Sequence, residues 1–258
     1  MTGNWLTSAL SVSVLIFGFL TGNSELAAQG SNGDDFTFVR IRYTSGGPNF
    51  QYRNFFGPRW ESWTVDYPTA EQNFLKGIGN WTSINVAKHP VTLSLLDSDF
   101  FRYPFAYMVE VGYMALSQVE ADTLREWLLR GGFLMVDDFH GPYEWQHFVH
   151  EMKLVFPERS IIDIPIDHPI FHCYYDFDHL TQIPGLGSVL SGRTYEKGGV
   201  QQHCMGIFDD QNRLMVLVSR NMDMGDGWEH TYDPRYPPKF SVEAYKLGIN
   251  FVVYALTH

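Results

Sequence analysis

The stretch that most constrains the fold runs from Leu116 to Pro142, LSQVEADTLREWLLRGGFLMVDDFHGP. Ser117 followed by Glu120 has the spacing of a capping box, so a helix starts there. Leu124, Trp127 and Leu128 repeat at helical spacing as an apolar stripe, and Gly131 supplies the stop. Phe133 to Val136 is then apolar without interruption. A strand with no polar alternation is buried on both faces, as in a parallel sheet between helical layers. It ends abruptly in Asp137 and Asp138, with His140 and a Gly141-Pro142 break before a second predicted helix, Tyr143 to Met152.

The rest of the chain follows the same alternation. FTFVRIRY (36–43) reads as a first strand, with Arg42 and Tyr43 at its end. Residues 44–67 form a long insertion rich in glycine, proline and aromatics, among them Phe50, Tyr52, Phe55, Phe56, Trp60 and Trp63. A loop of that length is functional or ordered by its own packing, and its rings could stack on sugars. An amphipathic helix starts at Pro68 or Thr69. VTLSLLD then gives a strand ending at Asp97, and FAYMVEVG one ending near Glu110. SIIDIPI reads as a strand, CMGIFDDQNRLMVLVSR as a hairpin turning on 209–212, and SVEAYKLGINFVVYAL as a closing helix. These elements predict an α/β fold, a three-layer αβα sandwich with a mainly parallel sheet.

Composition narrows the function class. With 45% hydrophobic and only 18% charged residues the chain packs a core, and a net charge of −11 argues against nucleic-acid backbones and anionic membrane surfaces as partners. Ala9 to Leu20 is an apolar run, shorter than the roughly 20 residues of a membrane span, and small residues follow up to Ala28. This pattern predicts a signal peptide over 1–28 and a single exported, periplasmic domain over 29–258. No Lys or Arg precedes the run, which leaves an uncleaved N-terminal membrane anchor as the alternative. Cys173 and Cys204 fall in the exported part, either paired or as buried free thiols, and lack the spacing of a zinc site.

VRIRY, TVDYPTAEQNF, GGFLMVDDFHG, DHPIFH, NRLMVLVSRNMDMGDGWE and YKLGINFVVYALTH together resemble the bacterial domain of unknown function family 4159. The helix, strand and sharp turn around VDDFHG, and DHPIF, resemble the class I glutamine amidotransferase-like superfamily. That resemblance implies a flavodoxin-like or amidotransferase-like fold. The superfamily's nucleophile is a cysteine on this turn, activated by a histidine. Here the turn carries Asp137 and Asp138, so glutaminase chemistry by that route is excluded. Relatives in the resembled family are membrane-associated and encoded beside ATPase chaperones and von Willebrand factor A-type proteins, which implies a protein partner at the envelope.

Ligands of open α/β sheets bind outside the carboxyl ends of the strands. Asp137, Asp138 and His140 are therefore candidates for general acid–base work, or for a divalent metal held by carboxylate and imidazole. Helix capping and bracing is the competing role for the two aspartates. Arg42, Tyr43, Asp97 and Glu110 end other strands and are candidate ligand-binding residues. Asn221, Asp223 and Glu229 lie in the Asp- and Gly-rich stretch SRNMDMGDGWEH, expected as a tight loop. In an amidotransferase-like fold this loop would close over Asp137. The stretch lacks the EF-hand order, and His147 and His150 lack the glutamate of a zinc-protease helix. No cofactor is identified. The functional expectation is a non-glutaminase binding or assembly module at the envelope. Its alternative is a hydrolase on a sugar or amide substrate, using Asp137, Asp138 and His140 with or without a metal.

Overall fold

The computed structural model describes Met1, residues 35–46 and residues 61–258. The expected signal segment and most of the aromatic insertion lie outside the described residues. Strands β1 (Val39–Arg42), β3 (Val91–Ser94), β4 (Phe105–Val109), β6 (Phe133–Asp137) and β9 (Leu214–Arg220) are parallel neighbours. β8 (His203–Phe208) and β7 (Ile162–Asp163) extend the sheet antiparallel beyond β9. The order across the seven strands is β3-β1-β4-β6-β9-β8-β7. A separate ribbon pairs β2 (Thr44–Ser45) with β5 (Met114–Ala115).

Side-chain alternation builds a core on each face. Phe38, Phe105, Tyr107, Phe133, Met135 and Leu217 face α1 (Thr69–Trp81), α5 (Met224–Glu229) and α6 (Pro238–Thr257). Val39, Ile41, Ala106, Met108, Leu134 and Val218 face α2 (Gln118–Leu129) and α3 (Gly141–Val155). A further short helix, α4 (Leu186–Leu190), sits on the connection into β8. No described helix is long and apolar enough to cross a membrane.

The expected helix after Leu116 is present, with both arms of the Ser117–Glu120 capping box formed and Gly131 in the left-handed region at φ 107°. Several boundaries differ from expectation. SIIDIPI gives only the two-residue exposed edge strand β7. The stretch 219–230 is no loop, because Asp223 accepts the Asp226 amide and caps α5. The insertion begins with β2 and resumes as a 3-10 turn at Ser62–Thr64. Cys173 and Cys204 are both free thiols.

Candidate functional site: the carboxyl edge of the sheet

The exits of β4, β6 and β9 are tied together by backbone bonds. Glu110 N donates to Asp138 O at 3.0 Å, Asp138 N to Met222 O at 3.2 Å, and Asn221 N to Phe139 O at 3.1 Å. Three residues on these exits, Glu110, Asp138 and Asn221, adopt left-handed backbone at φ 50°, 51° and 58°. Side chains other than glycine, Asn and Asp rarely accept that conformation, and it persists only where the surroundings enforce it.

Asp137 ends β6 and is fully buried. Its Oδ2 accepts from Tyr107 Oη at 2.9 Å and from the amides of Met224 and Gly225 at 2.8 and 3.1 Å. It therefore braces the first turn of α5. The opposite end of that helix is anchored by Trp228, stacked on Phe74 with ring centroids 4.1 Å apart. Burial and the neighbouring Asp138 push the Asp137 carboxyl up to about 7, against the three hydrogen bonds.

Asp138 faces a second group of charges. Its Oδ1 lies 3.2 Å from His140 Nε2. Lys197 Nζ is 2.8 Å from Glu144 and 3.7 Å from Glu110. Desolvation, opposed by Lys197, leaves the Asp138 carboxyl at about 7, while burial and Asp138 raise Glu110 to about 8. Burial also lowers the His140 pKa, against the pull of the nearby glutamates. Gly141 opens α3 at φ 73°, and a Cβ there would stand 2.0 Å from Lys197 O, so only glycine lets the 197 loop close on the turn.

A third group joins α5 to the residues before α1. Asp66, Asp223 and Asp226 each bring one carboxylate oxygen within 4.8 Å of the others. Burial raises both Asp66 and Asp223 well above the ordinary carboxylate range, and like charges add to it. Asp226 also meets His230 Nε2 at 3.2 Å.

The residues expected from sequence divide accordingly. Asp137, Asp138, His140, Glu110, Asn221 and Asp223 converge at this edge. Asn221 holds it together, accepting from Gly141 N at 2.9 Å and donating to Gln201 O. Tyr43 donates its hydroxyl to Val109 O and Glu110 O as a brace. Arg42 and Asp97 pair with each other at 3.1 Å, both well exposed, and Asp97 also takes the Ser94 amide as a turn residue. Glu229 lies at the far end of α5, 3.4 Å from His230. His147 is spent on Met114 O, and His150 is exposed.

Sequence reasoning reached Asp226 only as a member of the stretch 219–230, and it missed Asp66, Glu144 and Lys197. Asp66 precedes the Tyr67-Pro68 step into α1, and Lys197 lies in a loop with no periodicity to place it. Only Asp226 carried a signal, as the third acidic or amide side chain of the stretch already singled out.

Neither thiol is an activated nucleophile. Cys204 is buried within β8, where burial holds its pKa far above the ordinary thiol value, and Cys173 is pushed up to about 11 by burial. Fold and site thus define an α/β domain with a buried, carboxylate-rich strand edge and, among the described residues, no reactive cysteine. The chain belongs to the family described as Domain of unknown function (DUF4159), which it matches over residues 37–256. No curated protein matches it.

Proposed function

We propose that the chain is an exported, non-glutaminase member of the amidotransferase-like superfamily, acting as a binding or assembly module at the cell envelope. The observation that carries this reading is the turn after β6. A left-handed residue at φ 51° joins strand to helix there, as a nucleophile turn requires, but the residue is Asp138. The preceding Asp137 is committed to holding α5. The strand order supports the fold half of the reading. Numbered in chain order, the parallel strands run 2-1-3-4-5, the flavodoxin-like arrangement, whose ligands sit at the carboxyl edge.

The partner side rests on Lys197, exposed at the mouth of this edge between Glu110 and Glu144. The full chain is expected to retain a stoichiometric partner from envelope extracts, and a folded Lys197→Glu variant is expected to lose it. Equal retention by both proteins, or no partner with intact protein, contradicts the reading.

A hydrolase on a sugar or amide remains as a second reading, because the Asp138 carboxyl, raised to about 7, stands 3.2 Å from His140 Nε2. Groups poised near neutrality suit general acid–base work. That reading requires turnover of a muropeptide, sugar or amide that disappears in a folded Asp138→Asn variant.

A further inference from the structure

We infer that Asp66, Asp223 and Asp226 form a binding site for one hard divalent cation of the Ca²⁺, Mg²⁺ or Mn²⁺ class. The three carboxylates come from two separated segments of chain. Asp223 and Asp226 are fixed by the cap and first turn of α5, and Asp66 by the turn entering α1, where its carbonyl accepts the Ala70 amide at 3.0 Å. One oxygen from each lies within 4.8 Å of the others, a spread that oxygen ligands at 2.3–2.6 Å around a common Ca²⁺ can span.

Two further observations point to an ion rather than to a self-sufficient acidic turn. Asp66 as a residue is half-buried, yet its Oδ2 is sealed from solvent and accepts no hydrogen bond. That oxygen points at α5 between its two aspartates, 2.5 Å from where a Cβ on Gly225 would stand, so the glycine keeps the approach open. The amide of the same Gly225 is taken by Asp137 Oδ2, and the buried Asp137 Oδ1 is also without a hydrogen-bond partner.

Cations within the protein answer these charges only in part: Arg40 lowers the Asp66 pKa from a distance without pairing with it, and His230 meets Asp226 alone of the three. Neither Asp66 nor Asp223 forms an ion pair among the described residues. Arg40 is engaged by Glu71, and Lys197 by Glu144 and Glu110. His230 pairs with Asp226, Glu229 and Asp233. Carboxylate-only ligation selects hard cations over zinc or copper, which favour imidazole and thiolate. The inference goes beyond the proposed function and stands apart from it, because a cation can brace α5 against α1 whatever the crevice receives.

The test is titration of the metal-stripped full chain with Ca²⁺, Mg²⁺ and Mn²⁺ chlorides, read by calorimetry in two buffers of different ionisation enthalpy and by melting temperature. The expected result is one equivalent bound with release of protons. At a hundredfold excess over Kd the melting temperature should rise by roughly 5–10 °C. Binding is expected to weaken at least tenfold in Asp66→Asn and to survive in Glu229→Gln. Should Asp66→Asn not fold, Asp223→Asn reads the same ligand set. Binding lost in Glu229→Gln but kept in Asp66→Asn would move the ion to Asp226, Glu229 and His230 and overturn this site. No binding of any of the three ions overturns it outright. Because no partner enters the assay, its outcome is independent of the pull-down.

Discussion

Glu71→Gln is expected to lower the stability of the chain by about 3–5 kcal/mol, because it strands a buried guanidinium. Arg40 lies in the middle of β1 and, like Glu71 on α1, is fully buried. Its Nε donates to Glu71 Oε1 at 2.6 Å, and its Nη1 donates to the carbonyls of Trp63 and Val65 at 2.9 and 3.0 Å. The guanidinium also lies 4.9 Å above the Tyr107 ring. Burial opposes the Arg40 charge, and the surrounding acids, led by Glu71, more than offset it, so the net pKa shift is upward. Removing the carboxylate leaves that charge in the core and loosens the segment that presents Asp66. Urea unfolding of the variant measures the loss, and a cost below about 1 kcal/mol would show that the pair is dispensable. A double replacement, Arg40→Met with Glu71→Leu, is expected to recover much of the loss, because two apolar side chains of similar volume leave no charge to compensate.

Asp137→Ala is expected to cost a similar amount, about 3–5 kcal/mol, since it orphans three buried donors at once: the Tyr107 hydroxyl and the amides of Met224 and Gly225. Asp137→Asn keeps an acceptor oxygen for those donors. Since the carboxyl already titrates at about 7, the neutral amide should cost no more than about 1 kcal/mol near neutral pH. The contrast separates bracing from charge. Urea midpoints of the two variants measured side by side give the answer, and equal losses would mean that the negative charge itself, rather than its accepting oxygen, holds α5. The same pair bears on the aspartate's chemistry, because a brace tolerates Asn and a general base does not.

What could be read from sequence follows the reach of local physics. The capping box at Ser117, the stop at Gly131 and the unbroken apolar strand from Phe133 are short-range signals, and they fix a helix, a buried strand and the exit at Asp137. The hairpin of β8 and β9 was legible for the same reason, since Asp209 takes the amides of Gln211 and Arg213 in the turn. Convergence of Glu110 and Asp138 was legible only through the rule that strand exits share one edge, and that of Asn221 only through the resemblance to an amidotransferase-like fold. Arg42 and Asp97 obey that rule too, yet they pair with each other at an exposed rim, which strand position alone cannot reveal. Asp66 and Lys197 were invisible because loops deliver them, and their contacts depend on tertiary closure: Lys197 through Gly141, Asp66 through Gly225. The helical character of 224–229 was hidden because two glycines within six residues argue against a helix, and Trp228 buried on Phe74 overrides that propensity.

The strand-edge carboxylates are buried in excess of the cations that could neutralise them. The most direct test of this excess is the melting temperature of the metal-stripped chain at pH 8.5 and pH 6. Glu110 titrates at about 8 and Asp137 and Asp138 at about 7 when folded, and Asp66 and Asp223 are also raised. Folded carboxyls that hold protons more tightly than unfolded ones add stability below their unfolded pKa, and that stability is lost as pH rises through the folded values. His140, whose pKa is lowered by burial, works in the opposite sense below its ordinary value near 6.5, which is why the window stops at pH 6. The chain is expected to be more stable at pH 6 than at pH 8.5 by about 3 kcal/mol, a rise in melting temperature of roughly 6–12 °C. A melting temperature that is flat or falls toward pH 6 would contradict this excess, and would mean that these carboxylates are neutralised within the fold.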